Sequence, residues 1–150
     1  MGRGSRTAAR RRAVELVFES LQRGVPLTDL LAERAAWLAA LAAREGAPSH
    51  DADRLAPYTV HLVEGVARHQ ELISEWLDTY SKGWAQDRMP AVDRAIMYVG
   101  AYEVVFEADV PDPIVLKEAA DLASRLSTDK SPNFVSGLLG RLSKIKTTLV

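Results

Sequence analysis

Cysteine is absent from this chain of 150 residues. That excludes a disulfide framework, a thiolate nucleophile and any cysteine-based metal site. Histidine is scarce: His50 falls in a loop, and His61 and His69 are spaced to share one face of a helix. Two histidines without a third ligand make a poor zinc site, so no metal and no cofactor is expected. The three tryptophans, Trp37, Trp76 and Trp84, read as core or edge packing. No apolar run approaches the ~20 residues of a membrane span. The opening MGRGSRTAARRR carries charge but no apolar segment of signal-peptide type behind it. Phosphate-binding loops, dinucleotide fingerprints, HExxH and nucleophile elbows are all missing. Asp51/Asp53 read as a loop pair, and Glu103/Glu107 as a solvated i, i+4 face. A soluble, cytoplasmic protein with no reaction centre is the expectation.

Acid is missing from both ends of the chain. Arg3, Arg6, Arg10, Arg11 and Arg12 precede the first carboxylate at Glu15, and four basic residues follow the last at Asp129. Between them lie all 20 acids, so the net charge of −1 hides blocks of +5, −10 and +4. Such a chain is suited to one anionic and one cationic partner, although a solvated helical surface with a basic tail accounts equally for the charge alone.

Apolar positions recur at helical spacing throughout, and no period-2 strand pattern appears. Residues 1–9, with Gly2, Gly4 and Ser5, are expected to form a flexible Arg-rich arm ahead of a helical domain spanning 10–150. Helices are expected over about Ala8–Arg23 and Leu27–Arg44, and over Asp53–Ser81 with a break near His69. GAPSHDAD is read as a loop. PAVDRAIMYVGAYEVVFE is apolar nearly all round and belongs in the middle of a bundle. Two further helices open on Asp112-Pro113 and Ser131-Pro132, each a capping side chain followed by proline. Gly137 and Gly140 in the last helix imply close approach of a neighbouring helix. The fold class is therefore all-α, as one compact domain.

The start of the final helix holds the strongest chemical signal. Lys130, Asn133 and Phe134 crowd a helix N-terminus, where backbone N–H groups already favour an anion. A cation, an amide and a ring suit a nucleotide, the ring by stacking on an unpaired base. The competing reading makes Phe134 a packing residue and Arg10, Arg11 and Arg12 a solubilising tail.

ARRRAVEL, RMPAVDRAIMYVGAYEV and DVPDPIVLKEAADLASRLSTDKSPNFVSGLLGRL together resemble the NusB family of transcription antitermination factors. The resemblance covers nearly the whole chain and is strongest from Trp84 to Leu142. It implies about seven helices in two packed bundles. It also implies a non-enzymatic factor that binds boxA RNA of ribosomal RNA operons together with the small-subunit ribosomal protein NusE. Other Nus factors and RNA polymerase are then indirect partners, no membrane is involved, and homodimer formation is left open. By resemblance, Arg10, Arg11 and Arg12 match the family's arginine motif. Asp129, Lys130, Asn133 and Phe134 match its RNA-contacting turn, and Asp93 its acidic position on the RNA side. Val14, Gln22, Lys130 and Ser136 depart from residues common in the family.

Two other classes stay open at this point. One is an RNA-binding helical domain like the N-terminal appendage of ribosomal RNA cytosine methyltransferases, although no catalytic cysteine exists and no methyl-donor domain is expected after Val150. The other is a protein-only helical adaptor working through the acidic middle.

Overall fold

The computed structural model describes residues 3–45 and 55–150, with side chains from Arg6 to Arg44 and from Leu55 onward. His50, Asp51, Asp53 and the GAPSHDAD segment lie outside the described residues. Seven α-helices are described: α1 (Arg3–Arg23), α2 (Leu27–Glu45), α3 (Pro57–Arg68), α4 (Gln70–Tyr80), α5 (Ala91–Phe106), α6 (Asp112–Leu126) and α7 (Ser131–Leu149). A 3₁₀ turn at Gln86–Arg88 leads into α5. Among the described residues there is no strand.

Pro90 launches α5, because proline fixes φ for a helix start and has no N–H to leave unpaired. Every residue from Ala95 to Val104 is then buried. A helix apolar on all sides must be surrounded, and α5 packs on α1, α3, α4, α6 and α7. Helices α1, α2 and α3 pack together on one side of it, and α4, α6 and α7 on the other. The two bundles thus share α5 as their common wall. Leu62, Ile73, Leu77, Ile96, Leu138, Leu139 and Leu142 are fully or almost fully buried, each contributing about 1.5–3 kcal/mol of transfer free energy.

The expected break falls at His69, which stands between α3 and α4 with φ −114° and ψ 18°. Its ring stacks on Phe106 at 4.0 Å between centroids, so the bend is anchored to the end of α5.

Several expectations are corrected. Helix α1 begins at Arg3, ahead of Ala8, because tertiary contacts hold its first turns: Arg6 sits 4.4 Å over the Tyr58 ring and Thr7 donates to Glu118 at 2.5 Å. Neither Asp112 nor Ser131 makes a side-chain cap bond to its own helix. Asp112 instead accepts from Ser143 and from Lys146 (2.9 Å), tying α6 to α7. Buried Ser131 accepts from Thr128 N at 3.3 Å and donates to Ser127 Oγ at 3.1 Å, closing the turn before α7. Gly137 is exposed, with nothing within 4 Å of where a Cβ would stand, and at Gly140 the nearest atom is an ordinary 3.7 Å away. The close approaches occur at Gly65, where a Cβ would meet the Tyr102 ring at 2.2 Å, and at Gly100, 2.6 Å from Leu139 Cδ1.

Candidate nucleic-acid interface

The arginine run splits by helical register. Arg10 lies in the same stripe as Ala13, Val14 and Val17, and all four are buried. Its Nε donates to both oxygens of Glu103, at 2.8 and 3.0 Å, and its Nη1 to Glu118 at 3.2 Å. Tyr58 donates to Glu103 at 2.6 Å, completing a network across α1, α3, α5 and α6. Burial opposes the Arg10 charge, but bonding and attraction to Glu103 outweigh it and raise its pKa. Arg10 is thus corrected from a phosphate contact to an internal ion pair, since it has no free face to offer. Arg11 and Arg12 point outward, each about half exposed in its side chain. Both share one carboxylate, Glu15, at 3.8 and 3.7 Å.

Glu103 and Glu107 are corrected too. Glu103 is 1% exposed inside the Arg10 network, because the stripe of α5 that carries it faces Arg10 and Tyr58. Glu107 accepts from Tyr102 at 2.8 Å and pairs with His61. Burial, then the bond to Glu107, pushes the Tyr102 hydroxyl up to about 12. Burial and the bond to Glu103 push Tyr58 up as well.

The turn before α7 presents Asp129, Lys130 and Asn133 to solvent. Phe134 is half-buried, meeting Trp84 edge to face at 4.8 Å. Trp84 packs as expected, against Phe134 and the core, and so forms a wall of this turn. Asp93, by contrast, is fully buried at the third position of α5, which corrects its expected place at an RNA-facing surface. Neither of its carboxylate oxygens has a hydrogen-bond partner among the described residues. A capping box would return one bond to the N-cap N–H, but the N-cap here is Pro90, which has none. The α5 N-terminus still favours a negative charge at that place.

Among the described residues, no group of three or more His, Asp or Glu could hold a metal ion, and no helix is long and apolar enough to cross a membrane. Trp76 is buried as expected, whereas Trp37 is 56% exposed.

Comparison with known proteins gives one consistent result. The NusB family model matches residues 7–144. A transcription antitermination protein NusB of Arthrobacter sp. (strain FB24) is 44% identical over 147 residues, 97% of this chain and 98% of that protein. T. maritima NusB superposes with a TM-score of 0.73 at 25% identity, covering 93% of this chain and 90% of that one. A crystal structure of antitermination factors NusB and NusE with double-stranded RNA gives a TM-score of 0.73 over 95% of this chain and 98% of its counterpart. At 23% identity, that likeness bears on the fold alone.

Proposed function

The chain belongs to the NusB family, and from that premise we propose that it is a bacterial transcription antitermination factor. It binds boxA-type single-stranded RNA together with the small-subunit ribosomal protein NusE, in a cytoplasmic complex on RNA polymerase. It works as a binding protein, with no chemical step of its own. The observation that carries this reading is the turn at Asp129–Phe134. There an exposed lysine and asparagine flank the N-terminus of α7, and a ring rests edge-on against a second ring. Helix N-termini favour phosphate, and aromatic faces stack on unpaired bases.

In this proposal Arg11 and Arg12 supply phosphate contacts, Lys130 and Asn133 bind at the turn, and Phe134 with Trp84 supports a base. Asp129 stands exposed beside them and tempers the local charge. Asp93, buried at the start of α5, makes no direct contact with RNA in this proposal. The basic N-terminal stretch adds charge to the interface as the first turns of α1, continuous with the helical domain that positions it. The acidic excess between Glu15 and Asp129 suits a basic ribosomal protein, by attraction that acts chiefly on association rate.

The test is to titrate a boxA-like RNA and a scrambled RNA against the chain, with and without the ribosomal protein. Preference for the boxA-like RNA, strengthened by the protein, is the expected result. Equal binding of both RNAs, unaffected by the protein, would overturn the assignment.

A further inference from the structure

Among the described residues, the only exposed large hydrophobic side chains are Trp37 and the terminal Val150. Leaving a tryptophan in water forgoes one of the largest burial gains a side chain offers. Trp37 lines an open cleft of about 470 Å³ with Arg12, Glu33 and Arg34. That is room for a flat ring and the sugar attached to it.

The charges around the cleft are arranged unevenly. Glu33 is engaged by Arg23 at 3.1 and 3.3 Å. Arg34 and Arg23 both bond to Glu19, at 2.7 and 2.8 Å, which holds the Glu19 carboxyl below its usual range. The acids near the rim are thus matched by guanidiniums. Arg12 has a looser arrangement: among the described residues its carboxylate partner is Glu15 at 3.7 Å, and Arg11 draws on the same group. Among the described residues one carboxylate serves two cations, which leaves positive charge over beside the ring. Arg12 also belongs to the outward half of the arginine run, which makes the cleft continuous with the proposed RNA path.

We propose that Trp37 and Arg12 form a second RNA-binding shelf at the α1–α2 edge. An unpaired base stacks on the Trp37 ring while its phosphate meets Arg12. RNA fits this cleft better than a protein segment does, because an apolar partner would have to desolvate two guanidiniums, whereas RNA brings both a flat ring and an anion. The inference rests on the RNA-binding reading above and extends its footprint to α2.

The experiment uses the full chain and a boxA-like single-stranded RNA extended by several uridines at each end. Trp37→Ala is expected to weaken binding by about tenfold, within the range measured for base–aromatic stacking, with the melting temperature unchanged. Trp37→Phe should keep most of the affinity and abolish part of the tryptophan emission change seen on adding RNA. If Trp37→Ala binds like the parent while Phe134→Ala and the Arg11/Arg12 variants lose affinity, the shelf is wrong and the RNA-binding reading stands. If none of these variants loses affinity, the RNA-binding reading fails and the shelf fails with it. A Trp37→Ala protein that changes only its sedimentation would make the patch a contact between copies and overturn the proposal.

Discussion

Arg10 on α1 places its Nε within 3.0 Å of both carboxylate oxygens of Glu103 on α5, with both residues almost fully buried. Removing one partner of a buried pair strands the other charge in low dielectric. Arg10→Ala is therefore expected to cost about 3–5 kcal/mol of folding stability. Glu103→Gln, which keeps an acceptor, should cost less. Urea unfolding of the two variants measures the difference, and a stable Arg10→Ala protein would mean that the pair is dispensable.

Replacing Arg11 and Arg12 by glutamine should flatten the salt dependence of RNA binding. Two phosphate contacts at ~0.7 each predict a loss of about 1.4 in the log–log slope. BoxA-like and scrambled RNA should weaken by similar factors, since phosphate contacts carry no sequence information. An unchanged slope would remove the run from the interface.

At the turn, Phe134→Ala and Trp84→Ala should behave alike, because each ring supports the other. RNA affinity should fall by ~1–3 kcal/mol in each case. As Phe134 is half-buried, part of the effect will also appear as a lower melting temperature. Lys130→Asp should weaken binding at low salt and matter less at high salt. Full affinity in both ring variants would move the site elsewhere.

The glycines divide sharply. Gly65→Ala would drive a methyl into the Tyr102 ring, which is held by its bond to Glu107, and should be strongly destabilising. Gly137→Ala meets open space within a helix and should stabilise by up to about 1 kcal/mol. Thermal melts of the two proteins should move in opposite directions.

Tyr102 gives the fold an alkaline limit. Its hydroxyl, ordinarily near 10, is pushed up to about 12, so the folded chain holds this proton after the unfolded chain has released it. The contribution is complete below pH 10 and is lost as pH rises toward 12. Melting temperature should fall across that window, and Tyr102→Phe should flatten the fall. A melting temperature constant across it would count against the buried hydroxyl.

Much of this was legible in the sequence. The all-round apolarity of the central segment placed α5 at the axis, and the break near His69 fell where expected. The arginine run reads as a block, although the spacing of Arg10 from Ala13, Val14 and Val17 already puts it on the buried face. Glu103 reads as solvated for the matching reason: a carboxylate in an apolar helix needs a partner, and that partner lies on a distant element. Trp37 goes the other way: read as core or edge packing, it stands exposed among neighbours on α2 that are themselves largely exposed. Pairings between remote helices leave no local periodicity to read.

The span between Arg10 and Glu103 also sets an order of events during synthesis. Arg10 leaves the ribosome 93 residues before the carboxylate that will receive it. At bacterial elongation rates of ~5–20 residues per second, that is a wait of roughly 5–20 seconds. Until α5 has been made, the Arg10 guanidinium has at hand the Tyr58 ring of α3, 5.7 Å from its centroid, and lacks the Glu103 carboxylate that neutralises it. The first three helices, which pack on one another, therefore carry an uncompensated inward cation until the half of the chain that holds α5 arrives.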